Sequence, residues 1–338
     1  MDKSKRCIVI AEAGVNHNGD LKIAQRLVEC AAEAKADYIK FQTFTSETLV
    51  TKDAKLANYQ SKNLNKKINQ HEMLKSLELS HSHHKKLIDY CNDCGIKFLS
   101  TGFDVSDLKF LLPLNLDFIK IPSGDLTNYF LLEQAGASGK DIILSTGMAK
   151  IEEISEALKV IKSNSTNNPI NITLLHCTTD YPAQLEEINL NAMLTLKEKF
   201  GLSVGYSDHS LGIAVPVAAV ALGARIIEKH FTLDRKMEGP DHKASLEPNE
   251  LQEMVSCIRD VECAIGSFKK QPTLGELKNK AVARKSLVAS VNIKEGDIFD
   301  RNNVVAKRPG DGLSPMLFPN IQGRIAKKDF LKDEIIEI

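Results

Sequence analysis

Gly205-Tyr206-Ser207-Asp208-His209 and Ile227-Glu228-Lys229-His230-Phe231 are two extended segments separated by an apolar, helix-patterned stretch, Ala214 to Leu222, and each carries an imidazole at or just past its end. In a strand, residues two apart share a face, so Ser207 faces with His209 and Glu228 faces with His230. Two histidines placed this way on adjacent strands can hold one divalent metal. The strand, helix, strand order is also the repeating unit of a parallel α/β fold.

Working outward, the same alternation recurs about eight times. Strands are expected at Cys7–Ala11, Tyr38–Gln42, Lys97–Ser100, Asp117–Ile121, Asp141–Leu144, Asn171–Leu175, Ser203–Gly205 and Arg225–Lys229, with helical patterns such as Leu21–Ala34, Ser82–Asp93 and Ile151–Lys162 between them. Eight such units predict a (β/α)8 TIM barrel over residues 1–265, followed by a linker over 266–282 and a small domain over 283–338. A doubly wound nucleotide-binding sheet fits less well, since no Gly-x-Gly-x-x-Gly follows the first strand.

A barrel of this kind gathers its polar groups where the strands end. Glu12 closes the first strand; Lys40 and Gln42 share a face of the second; Thr101 ends the third; Lys120, Ser123 and Asp125 follow the fourth. Ser145 ends the fifth strand, and His176 to Tyr181, including Thr179, extend the sixth. Lys40 lies between Ile39 and Phe41, and Lys120 between Ile119 and Ile121, so each lysine points into the lumen while its neighbours point toward the helices. Two lumenal cations with nearby hydroxyls make a cradle for phosphate and carboxylate; the plainer alternative is structural ion pairing. His176, preceding Cys177 on an apolar strand, reads as a satisfied core histidine, and His81, His83 and His84 as the solvated start of a helix. Asn58 to Gln70, rich in Asn and Lys, is expected as a mobile loop over the pocket.

Composition excludes other classes. Lys+Arg and Asp+Glu number 44 each, so there is no net field to attract nucleic acid or an acidic membrane. The basic start before Ile8 imitates a signal peptide, but Glu12 cuts its apolar run short, and Ile213 to Leu222 is about half a membrane span. Seven cysteines, an odd number, suit reduced thiols in the cytoplasm. Cys91-Asn-Asp-Cys94 has no second pair to complete a zinc site and reads as half-buried helical thiols.

Taken together, Ile10-Ala-Glu-Ala-Gly-Val-Asn-His-Asn-Gly19, Lys40-Phe-Gln-Thr-Phe44, Lys120-Ile-Pro-Ser-Gly124, Leu144-Ser-Thr-Gly-Met148, Gly205–His209, Glu228-Lys-His-Phe-Thr232 and Gly239-Pro-Asp-His-Lys-Ala-Ser245 resemble the sialic acid synthases. The resemblance runs from Ile8 to the C-terminus, where Arg284–Ala289 and Lys307–Pro315 are similar to the antifreeze-like (SAF) domain of that family.

The resemblance implies a transferase that condenses phosphoenolpyruvate with an N-acetylated mannosamine-type sugar. N-acetylmannosamine is the first expectation for the acceptor, and a 2,4-diacetamido-2,4,6-trideoxy sugar or the pseudaminate precursor the alternative. It assigns Lys40, Thr101, Lys120, Ser123, Ser145 and Ser207 to phosphoenolpyruvate, His209 and His230 to a divalent ion, most often Mn2+, Glu12 to the catalytic carboxylate, and Glu228 to a second acid. Gln42, Asp125, Thr179, Tyr181 and Asp241 would meet the sugar, and Arg308 would reach the partner's site in a domain-swapped homodimer. Asp125 stands where the family often has glutamate, and Thr179 where some members have asparagine. Two other classes are a Schiff-base aldolase using Lys40 or Lys120, and a non-catalytic barrel carrying a carbohydrate- or ice-binding tail.

Overall fold

The structure is a computed structural model and describes residues 6–63, 68–165 and 170–338. It divides into two compact units, 1–266 and 267–338. In the first, eight parallel strands close on themselves in sequence order: β1 (Ile8–Gly14), β2 (Tyr38–Thr43), β3 (Lys97–Gly102), β4 (Ile119–Ile121), β5 (Ile142–Ser145), β6 (Ile172–Cys177), β7 (Ser203–Asp208) and β8 (Ile226–His230), with β8 paired back onto β1. This is the expected (β/α)8 barrel. Several strands run past the expected ends, β1 through Glu12 to Gly14 and β7 to Asp208.

Alternation along the strands builds two apolar layers. Ile10, Tyr38, Leu99, Ile143, Leu175 and Ile226 meet inside the barrel and plug its lower lumen. Their neighbours Val9, Ile39, Phe98, Leu144, Leu174 and Ile227 face outward into the larger core beneath the helices. The helices supply the matching stripes. Leu21–Glu33 buries Ala24, Leu27, Val28 and Ala31, and Ile151–Asn164 buries Ile154, Ala157, Leu158 and Ile161, the spacing of one helical face. Their starts are written locally: the Asp20 side chain accepts from the Lys22 and Ile23 N–H groups.

The helix His81–Cys94 corrects one expectation. His84 is buried, not solvated: its Nδ1–H donates to the Ser80 carbonyl at 3.0 Å, and its Nε2 accepts from Thr43 Oγ1 at 2.8 Å, which itself lies 2.7 Å from Ser100 Oγ. The hydroxyls of two adjacent strands give the imidazole a reason to be inside. Cys91 is buried and Cys94 half-buried, and both are free thiols.

The second unit contains the antiparallel pair β9 (Ser286–Ala289) and β10 (Val304–Lys307) over a core of Leu287, Ile293, Phe299, Ile321, Phe330 and Ile336. The segment expected as a linker holds the helix Leu274–Ala283, started by a capping box between Thr273 and Glu276. No helix among the described residues is long and apolar enough to cross a membrane.

The lumenal plug makes a direct prediction. Leu99→Ala opens a void that a closed barrel cannot collapse around, and urea denaturation should show a loss of about 2–5 kcal/mol; a loss much smaller than that would mean the plug is not tightly packed.

Candidate active site

Above the apolar plug the lumen changes character within one step of each strand. Lys40 on β2 pairs with Leu99 in the ladder, and Lys120 on β4 with Thr101. Both ammonium groups are buried. Lys40 Nζ lies 2.7 Å from Glu12 Oε2 and 3.5 Å from Glu228 Oε2, and it donates to Thr101 Oγ1 at 2.9 Å. Lys120 Nζ lies 3.5 Å from Glu228 Oε1 and donates to Ser145 Oγ at 2.9 Å. Ser207 Oγ donates to Glu228 Oε1 at 2.9 Å. Two lysines and two glutamates thus form an alternating quartet supported by three hydroxyls. Strand spacing shows the lysines entering the lumen but not their carboxylate partners, which arrive from β1 and β8.

The quartet is electrostatically uneven. Burial pushes the Glu12 carboxyl up, with Lys40 pulling the other way. Burial also opposes charge on Glu228, but Lys120 and Lys40 outweigh it and hold that carboxylate down. One acid therefore stays ionised between two cations, while the other holds a proton more readily. Burial lowers Lys120, whereas at Lys40 burial is offset by Glu12 and Glu228, which raise it.

At the rim, β1 bulges between Glu12 and Gly14, and Gly14 takes a positive φ of 52°. A Cβ there would sit 3.1 Å from the His230 ring, so glycine leaves room for the imidazole. His230 and His209 face each other with ring centroids 5.6 Å apart. The His209 Nδ1–H donates to the Thr178 carbonyl at 2.6 Å, which leaves Nε2 with its lone pair free. His230 Nδ1 is buried without a hydrogen-bond partner. Burial lowers both imidazoles, His230 the further because His209 also repels its proton. Neutral rings with an anchored tautomer and an orphaned nitrogen fit a metal pair. Among the described residues no group of three His, Cys, Asp or Glu could hold a metal, so water or substrate oxygens would complete the coordination.

Fifteen of the residues marked from sequence line one cavity of about 670 Å³: Glu12, Lys40, Gln42, Thr101, Lys120, Ser123, Asp125, Ser145, Thr179, Tyr181, Ser207, His209, Glu228, His230 and Asp241. Burial pushes Asp241 up to about 6 and raises Asp125 as well. Arg308 lies in the second unit, where its Nε donates to the Ala283 carbonyl at 2.9 Å.

Other members of the site were not marked. Cys177 Sγ lies 3.0 Å from Ser123 Oγ, which also accepts the Gly147 N–H at 3.0 Å. A Cβ on Gly147 would come within 2.7 Å of Thr179 Cγ2 and 2.8 Å of both Cys177 Sγ and Ser123 Oγ, so any larger residue there would displace these side chains. One wall is apolar, formed by Val15, Leu49, Met73, Leu77 and Phe103. The expected loop over the pocket is partly a short helix, Asn58–Asn63, tied down by Tyr59 stacking on Tyr181 at 5.0 Å and by Asn63 Nδ2 donating to the Pro240 carbonyl at 2.7 Å. Residues 64–67 of that segment lie outside the described residues. The capping box of Asn69 and Glu72 at the head of the helix Gln70–Leu77 was the available signal for this wall.

A closed barrel with paired lysines, carboxylates and two imidazoles at its C-terminal mouth has the layout of an enzyme active site, and the relatives of the chain are synthases, which places it in the transferase class. Residues 27–270 match the NeuB family and residues 284–337 the SAF domain, and the chain belongs to the NeuB family. It is 49% identical over 332 residues to the N,N'-diacetyllegionaminic acid synthase of Campylobacter jejuni, covering 98% of this chain and 99% of that protein. It is 44% identical over 321 residues to the synthase of the same name from Legionella pneumophila, covering 95% and 90%. The crystal structure of an N-acetylneuraminic acid (sialic acid) synthetase from Leptospira borgpetersenii, in complex with citrate, superposes with a TM-score of 0.71 at 38% identity, covering 81% of this chain and 90% of that one.

The quartet can be tested by removing one charge. Glu228→Gln leaves Lys40 and Lys120 facing each other with no carboxylate between them, since Glu12 pairs with Lys40 alone, which should cost about 3–5 kcal/mol of stability. Inorganic phosphate should restore much of it in urea titrations; a variant as stable as the parent, with no response to phosphate, would show that the lysines do not depend on Glu228.

Proposed function

We propose that this enzyme condenses phosphoenolpyruvate with 2,4-diacetamido-2,4,6-trideoxy-mannose, giving N,N'-diacetyllegionaminate and phosphate. The lumenal quartet carries the reaction class: two buried lysines, each with its own hydroxyl, facing a pair of neutral imidazoles. The choice of acceptor is supported by the relatives. The two legionaminic acid synthases, at 49% and 44% identity, stand nearer than the sialic acid synthetase at 38%, and they favour the diacetamido sugar over the N-acetylmannosamine first expected from sequence.

In this reading Lys40 and Lys120 hold the phosphate and carboxylate of phosphoenolpyruvate, while Thr101, Ser123, Ser145 and Ser207 fix its plane. The enol carbon attacks the aldehyde carbon of the open-chain sugar, water adds at the former C2, and the bond from that carbon to the phosphate oxygen then breaks. Glu12, the acid with the raised proton affinity, takes the proton of the incoming water. Glu228, kept ionised by both lysines, stabilises the positive charge that develops at C2. His209 and His230 would hold a divalent ion, Mn2+ by resemblance, which supplies a Lewis acid for the aldehyde oxygen. Gln42, Asp125, Thr179, Tyr181 and Asp241 line the part of the cavity left for the sugar. The protein acts in the cytoplasm as a homodimer in which the partner's Arg308 completes the sugar site, as the family resemblance implies.

Two measurements test this. Steady-state kinetics with both sugars should give a kcat/KM for the diacetamido acceptor at least about tenfold above that for N-acetylmannosamine, and the reverse order would return the acceptor to N-acetylmannosamine. His209→Ala or His230→Ala should lose Mn2+ binding and turnover together by orders of magnitude; full turnover in chelator-treated buffer would remove the metal from the mechanism. Trapping of a borohydride-stable adduct on Lys40 or Lys120 would instead support a Schiff-base aldolase.

A further inference from the structure

Asp208 and Lys229 lie opposite each other in the ladder between β7 and β8, one residue before His209 and one before His230. Side chains alternate along a strand, so this pair points out of the barrel while Ser207, Glu228 and His230 point in. Both side chains are fully buried, at 0% exposure. The Lys229 ammonium donates to Asp208 Oδ2 and to the Ser210 carbonyl, and Asp208 Oδ1 accepts the Ser210 N–H at 2.9 Å. The pair therefore clamps both backbone groups of Ser210, the residue directly after His209.

Stability alone is a weak reason for such a clamp. An apolar pair of similar volume often serves a buried position as well or better, because two charges must be stripped of water. The position supplies another reason. β7 ends at Asp208, so His209 has no place in the ladder, whereas His230 is the last residue of β8 and pairs with Glu12. On one side His209 is held by the loop after β6, through its ring to the Thr178 carbonyl and through its own carbonyl, which accepts the Ala183 N–H at 2.9 Å. On the other side it continues into the turn through Ser210, and Lys229 ties that turn to β8.

We infer that the Asp208–Lys229 pair, with Ser210, is a positioning device that sets the separation and angle of His209 and His230 and thereby the affinity of the mouth for a divalent cation. This rests on the two-histidine metal reading above. The device acts behind the ligands, so neither residue touches substrate. Its logic is that of a tie rod: a lysine long enough to span two strand ends fixes one imbalance that the backbone ladder leaves open.

The test is the double variant Asp208→Asn/Lys229→Met, which keeps side-chain volume and an acceptor for the Ser210 N–H but cuts the link between the strands. Mn2+ titration followed by electron paramagnetic resonance should show an affinity about 10–100-fold weaker than the parent. In chelator, phosphoenolpyruvate affinity by calorimetry should change by no more than about twofold, because its two lysines sit on β2 and β4. Unchanged Mn2+ affinity overturns the inference, and so does an equal fall in both affinities, which would make the pair merely structural. If the double variant does not fold, Lys229→Arg keeps the charge but alters the length of the tie, and parent-like Mn2+ affinity in that variant likewise overturns it. A parent protein that takes up no Mn2+ overturns the two-histidine reading itself, an outcome distinct from either of these.

Discussion

The site depends on holding two positive and two negative charges side by side where they are almost wholly withdrawn from water. Glu12, Lys40, Glu228 and Lys120 come from β1, β2, β8 and β4 and meet above a plug of aliphatic side chains. In such surroundings the attraction between neighbours is strong, but so is the cost of any charge left without one. The arrangement is tolerable only if every strand delivers its residue at the right height, and only a closed barrel with fixed register does that. Closure and chemistry are therefore the same constraint.

The rim is built on different terms. There the strands run out, and loops and side chains take over the positioning. A bulge and a left-handed glycine in β1 make space for His230; the Thr178 carbonyl fixes the tautomer of His209; a buried ion pair on the outer face joins the ends of β7 and β8. The floor thus gets its precision from the hydrogen-bonded ladder, and the mouth from individual polar contacts.

Much of this could be read in the chain. The period of the apolar residues distinguishes strands from helices, and the strand-helix alternation implies parallel pairing. Lys40 between Ile39 and Phe41 had to point inward once those neighbours faced the helices. The residues that escaped notice belong to another kind. His84 looked solvated because nothing near it in sequence reveals Thr43 and Ser100 across the barrel wall. Nothing near Cys177 in the chain shows that the segments after β4 and β5 bring Ser123 and Gly147 against it. The wall formed by Val15, Met73, Leu77 and Phe103 assembles from segments far apart in the chain.

The sequence by itself determined the eight strands and the main helices between them, the inward face of each strand and the residue types at the mouth, because these follow from periodicity and from what each side chain can do chemically. Only the tertiary structure decided which charges neutralise which. Glu12 and Glu228 differ in proton affinity because one carboxylate sits between two lysines and the other mainly beside one, in a space where burial penalises charge. That difference arises from distances across the barrel, which no local stretch of the chain contains.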